Sequence, residues 1–242
     1  MEFNSVFDRA EHYDANIAFV QAQNAFINRV YGWMCGALAL TGFVAAGIAS
    51  DPELVKKIFS GSAAFMIIVI AQLAIVIGIS AAINRISAAV AATGFILYAG
   101  LNGVIFSTLF LVYTQGSIAG TFFATSLTFG AMSVYGYVTK RDLTSIGNIC
   151  FMGLIGLIIA SVVNIFVAST MLYWITTYVG ILIFVGLTAY DTQKIKKLSE
   201  TAASGALDAE TGKKYALLGA LTLYLDFINL FLLLLRLFGR RR

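Results

Sequence analysis

Charge and proline are what this chain has least of. Only 12% of its 242 residues are Asp, Glu, Lys or Arg, Pro52 is the single proline, and 60% are hydrophobic. So few ionised groups cannot cover a soluble domain of this size, and a water-soluble globule is excluded. Histidine is represented by His12 alone and cysteine by Cys35 and Cys150, which have neither C-x-x-C spacing nor a neighbouring histidine. A transition-metal cluster or a histidine-based triad therefore has no raw material, and the two cysteines read as small core residues. The opening residues "MEFNSVFDRAEHYDANIAFVQAQNAFINR" mix acids, amides and bases and lack a basic stretch followed by an apolar one. They read as a cytoplasmic arm over residues 1–29 rather than a signal peptide, with the first span acting as its own insertion signal.

What is present is a series of apolar runs, each long enough at about 20 residues to cross a hydrocarbon core. They predict seven transmembrane helices near 30–50, 63–83, 88–112, 117–138, 146–168, 172–197 and 215–237, which makes an all-α membrane protein. The transmembrane domain then covers 30–238, and 239–242 form a basic C-terminal tail. Short connections predict that helices pack as neighbours in chain order. Gly32 with Gly36, and Gly116 with Gly120, have the small-x-x-x-small spacing of close helix approach. Gln72, Asn102 and Asn164 read as interhelical polar glue.

Orientation follows from Lys and Arg. Ten of the 16 basic residues fall on the face of the N-terminal arm, and six fall on the other if the last helix crosses. That excess places the N-terminus in the cytoplasm. A last segment that dipped and returned would move the C-terminal arginines to the first face and sharpen the asymmetry, so both topologies stay open at this point.

Two acids stand out. Of the twelve acidic residues, only Asp191 and Asp226 lie inside apolar runs, on the last two helices. An ionised carboxylate in such a setting costs several kcal/mol, roughly, unless it has a partner. The two helices are antiparallel, and Asp226 in "LTLYLDFINLF" sits about eleven residues, or roughly 16 Å, into its helix. Asp191 in "GLTAYDTQKIKKL" approaches from the other direction. Two carboxyls that meet in a poorly hydrated site share a proton, which makes a pH switch without histidine. The alternative is that each acid acts separately, with Asp191 paired to Lys194 or Lys197. Asn229 shares the face of Asp226, Thr188 precedes Asp191 by three residues, and Arg85 ends the second helix; these are the candidate pathway or latch residues.

The stretches "NRVYGWMCGALALTG", "GLTAYDTQKIKKL" and "LYLDFINLFLLLLRLFG" together resemble the Bax inhibitor-1 family, the transmembrane Bax inhibitor motif proteins, and its bacterial inner-membrane members in particular. The resemblance implies two three-helix layers around a central C-terminal helix. It also implies that Asp191 and Asp226 form a hydrogen-bonded pair controlling a pH-sensitive calcium leak. Eukaryotic relatives restrain cell death and adjust calcium stores, and one bacterial relative modulates a membrane-anchored AAA protease.

The expectation is thus a non-enzymatic leak in the inner membrane, with the bilayer and calcium as partners, no nucleic acid and no resident cofactor. Calcium takes six to eight oxygens, so two aspartates suit only a weak, transient site on a pathway. The alternative is a non-transporting regulator of a membrane AAA protease or other inner-membrane complex, held by the arm. An intramembrane aspartyl protease is a remote third reading: the second Asp lacks a G-x-G-D context, and with Pro52 the only proline no Pro-Ala-Leu motif follows it.

Overall fold

The computed structural model describes residues 2–241; the side chains of residues 2–15, 62 and 63, His12 among them, lie outside the described part. Among the described residues nine helices follow one another: α1 (Glu2–Ala49), α2 (Pro52–Phe59), α3 (Ser62–Ala82), α4 (Ala88–Phe106), α5 (Leu109–Val112), α6 (Gln115–Val138), α7 (Thr144–Val167), α8 (Thr170–Ala203) and α9 (Ala209–Phe238). Several start where a side-chain oxygen accepts from a free backbone N–H of the first turn: Asp51 for α2, Ser87 for α4, Thr114 for α6, Ser169 for α8 and Asp208 for α9. Pro52 follows its cap directly, where a missing N–H costs nothing.

Seven segments of the described residues are long and apolar enough to span a membrane: α1 from Asn16 onward, α3, α4 with α5, α6, α7, α8 and α9. The protein is therefore an all-α, multi-pass membrane protein. Two details depart from the sequence reading. α1 runs without a break through residues 29 and 30, so no interruption separates arm from span. The stretch "SDPELVKKIFSGS", expected as a plain connection, contains α2, which buries Val55 and exposes Lys56 and Lys57.

Chain order sets only part of the packing: α3 lies on α4, α7 on α8 and α8 on α9. α9 lies against α1, α4, α6 and α8, while α1 packs on α4, α8 and α9. α9 is the most buried of the spans, whereas α3 and α7 bury almost nothing within the protein and turn their apolar surfaces to lipid. Competition for the central helix overrides the short connections. A polar knot ties three of these helices: Thr41 of α1 donates to the carbonyls of Ala37 and Ala99 at 2.9 Å each. Its single proton is thus committed, so the fully buried Tyr224 hydroxyl of α9 donates to Thr41 Oγ1 at 2.7 Å.

The last helix crosses completely. At its start, Glu210 Oε1 accepts from Ala88 N, the first residue of α4, at 2.7 Å and Tyr215 donates to Asn84 of the α3–α4 connection at 3.2 Å. At its end, Thr114 N, the cap of α6, donates to Arg240 O at 3.1 Å and Arg240 N to Ser117 Oγ in the first turn of α6 at 2.9 Å, on the opposite face. The re-entrant alternative is thereby excluded.

Close approach uses other glycines than those expected. A Cβ at Gly32, Gly36, Gly116 or Gly120 would meet nothing, whereas one at Gly136 would strike the Ala189 backbone and one at Gly147 the Tyr190 ring. Small residues four apart are equally at home facing lipid, and spacing alone cannot tell the two faces apart. The same reasoning corrects Cys35, which is exposed on α1; Cys150 is half-buried with its Sγ beside Gly186. Among the amides, Asn102 donates to Tyr98 O within its own helix, whereas Asn164 of α7 accepts from the N–H of Ser169, the cap of α8, and so ties only the ends of two consecutive helices.

Ala168, between α7 and α8, adopts φ 51°, a left-handed conformation that disfavours any Cβ. Ala168→Gly is expected to raise the unfolding midpoint, with a gain of about 1 kcal/mol, measured by thermal denaturation in detergent.

Candidate functional site

α8 buries the stripe Ile183, Phe184, Leu187, Thr188, Asp191, Thr192 and Ile195, a helical period that sets Asp191 on the face turned to the bundle. α9 is half-buried along Thr222, Leu225 and Asn229 and buried over the rest of its middle, Asp226 included. The two aspartates, 9% and 4% exposed, line one cavity of about 670 Å³, and their carboxyl groups are close enough to act on one another directly. Asp226 Oδ2 is buried with no hydrogen-bond partner. A buried carboxyl oxygen of this kind is costly to leave without a partner.

The cavity lies between α3, α7, α8 and α9 and also meets Tyr98 of α4. Gln72 of α3, Asn148 of α7 and Lys194 of α8 join the acids as its polar lining. Gln72 carries a second orphan, Nε2, also buried and without a partner. A large space with one unsatisfied acceptor and one unsatisfied donor on its walls is a place for water or a small polar species.

The other candidates scatter. Asn229 lines the cavity, its Nδ2 donating to Leu225 O at 2.8 Å, so the amide oxygen stays available as an acceptor. Thr188 is fully buried, bonds back to Phe184 O at 2.7 Å and does not line the cavity. Arg85 is exposed in the α3–α4 connection, away from the acids, and the cation beside them is Lys194. Lys194 makes no ion pair with Asp191, while Lys197 is engaged with Asp142 at 3.4 Å. Among the described residues no group of three or more His, Cys, Asp or Glu is assembled, which leaves the two aspartates as the only anionic ligands in the cavity.

Sequence reasoning passed over Gln193, two residues beyond Asp191. Its Oε1 accepts from Leu143 N at 2.9 Å and its Nε2 donates to Arg141 O at 2.8 Å, so one buried amide clamps the α6–α7 connection to α8. Lys196 adds a bond to Tyr137 O at 2.9 Å and lies over that ring. An exposed-looking "DTQKIKK" gave no sign of this, because the partners are backbone atoms about fifty residues away. Gln193→Ala orphans two backbone groups and is expected to cost roughly 2 kcal/mol, with faster proteolysis in residues 139–143 as the readout.

Comparison with known proteins agrees with this architecture. Residues 23–242 match the family described as inhibitor of apoptosis-promoting Bax1. The chain is 48% identical to the inner membrane protein YbhL of Escherichia coli strain K12, covering 97% of this chain and 100% of that protein. It is also 45% identical to an uncharacterized protein of Rickettsia prowazekii, RP147, covering 94% of each, and 44% identical to an uncharacterized protein of Borreliella burgdorferi, covering 91% and 94%. The shared length takes in all seven spans and both buried aspartates, and the chain belongs to the Bax inhibitor-1 family of multi-pass membrane proteins.

Proposed function

We propose that the protein is a pH-sensitive calcium leak, gated by the Asp191–Asp226 pair through a shared proton. The observation that carries the reading is the orphaned Asp226 Oδ2 beside Asp191 on the wall of a large cavity at membrane depth. With one proton between them the carboxyls attract, and α8 stays against α9. Loss of that proton leaves two anions in a medium that screens poorly; their repulsion separates the helices and their charge draws a cation. Lys194, Tyr98 and Tyr190 are the other titratable groups lining the cavity. Calcium is cargo here, held briefly by two carboxylates and the amide oxygens around them, which suits passage better than storage. The N-terminus lies in the cytoplasm by the ten-to-six excess of basic residues on its face, and the membrane is the inner one, as for YbhL. The reading is non-enzymatic. Purified protein in liposomes loaded with a calcium dye tests it, by influx recorded against pH.

A second reading, a regulator of a membrane-anchored AAA protease or another inner-membrane complex, is favoured by one feature. The part of α1 from Asn16 to Ala22 is largely exposed and carries Ile17 and Val20 outward, as a handle for a partner would. Deleting residues 1–25 separates the readings: a regulator loses its partner in co-purification, whereas a leak keeps its flux.

A further inference from the structure

On the face opposite the N-terminus, the α7–α8 turn, the first turns of α8 and the end of α9 enclose a cup of about 560 Å³. Arg236, Arg241, Ser169, Thr170, Tyr173 and Trp174 are among its lining. Arg236 lies over the Tyr173 ring at 4.7 Å, which fixes the guanidinium toward the cup. Neither arginine forms an ion pair among the described residues, and no carboxylate lines the cup. The acids on this face, Asp51 and Glu53, are engaged elsewhere, the first capping α2 and the second paired with Lys56 at 2.7 Å.

We infer that this cup binds the phosphodiester headgroup of an anionic phospholipid in the leaflet on that face. Two guanidinium forks, two hydroxyls and no acid match a phosphate. The position selects a lipid over a soluble phosphate: Phe166, Met171 and Phe238 are exposed around the rim, where acyl chains must run, and Trp174 and Tyr173 sit at the depth that interfacial aromatics occupy. Anionic headgroups are preferred over zwitterionic ones because two guanidinium groups line the cup and no carboxylate among the described residues stands there to pair with an ammonium. The bound lipid joins the start of α8 to the end of α9.

The test is native mass spectrometry of the full-length protein in detergent, titrated with phosphatidylglycerol and with phosphatidylcholine of the same acyl chains. The wild type is expected to hold phosphatidylglycerol roughly tenfold more tightly. Arg236→Gln with Arg241→Gln removes that preference. Arg241→Gln alone, in the exposed tail, weakens it without endangering the fold, and Arg236→Lys retains part of it. Lys56→Gln with Lys57→Gln, an equal loss of charge on the same face, leaves it intact. Equal retention of the two lipids, or equal loss in the lysine variant, overturns the proposal. So does displacement of the lipid by chainless glycerophosphoglycerol at the same concentration, since the site would then serve soluble phosphate esters.

Discussion

Asparagine in place of Asp226 is expected to leave calcium flux flat from about pH 5 to about pH 9, while wild-type flux rises with pH by up to roughly tenfold per unit, the limit for one titrating proton. The direction follows from the charges: the singly protonated pair is cohesive, and the doubly ionised pair repels. Asp191→Asn is expected to flatten the profile as well, and the double variant to add nothing, because each single change already removes the interaction. Other titrating groups are separable. Hydrogen bonds from the Thr144 hydroxyl and N–H hold Asp142 below the usual carboxylate range, and those from Thr211 do the same for Asp208. A lowered folded pKa contributes stability that is complete above the unfolded value and is lost only as pH falls through the folded one. These loop acids therefore act in strong acid, not near neutrality. Histidine is the side-chain type whose unperturbed pKa lies nearest neutrality, so His12→Gln serves as the control and is expected to keep the wild-type slope. A flux that falls as pH rises would sink the proposed sign, and one that keeps its slope in Asp226→Asn would sink the pair as gate.

The largest expected effect on stability is at Gly136. A Cβ there meets the carbonyl and Cα of Ala189, backbone atoms of α8 that cannot swing aside as a side chain would. Gly136→Ala must push α6 and α8 apart two residues from Asp191, at a cost of about 3 kcal/mol, and Gly136→Val more. Gly120→Ala, on the same helix but facing open space, gains helix propensity and is expected to be neutral or stabilising by up to about 1 kcal/mol. Thermal unfolding of the three variants in one detergent checks the contrast. Equal midpoints for Gly136→Ala and Gly120→Ala would mean that the α6–α8 contact is not close.

The seven spans were legible because length and hydropathy are properties of the chain itself, and the acidic pair because an ionisable residue in an apolar run is conspicuous wherever the run packs. Which face of each helix meets protein was not legible. In lipid both faces are apolar, so period no longer separates inside from outside; Cys35 and the Gly32–Gly36 pair were placed against neighbours they do not have. Gln72 read as glue and instead lines the cavity with an unsatisfied donor. Arg85 shares the side of Asp191 only in counted depth; it is exposed in the α3–α4 connection and does not line the cavity. Thr188 precedes Asp191 by three residues and shares its stripe, yet its hydroxyl is spent on its own helix. Gln193 and Tyr224, which brace the site, are ordinary residues until their partners are known.

α9 is tied at both ends, by Glu210 and Tyr215 to the junction of α3 and α4 and by Arg240 to the start of α6. Such a rod has the mechanics of a beam clamped at two supports: it cannot slide along its axis or tilt as a lever without breaking a support. Force applied at mid-length makes it bow, and Asp226 lies in that middle stretch. Any opening driven from the aspartates is therefore a sideways flexing or a yielding of α8, and the travel of its ends is close to nil.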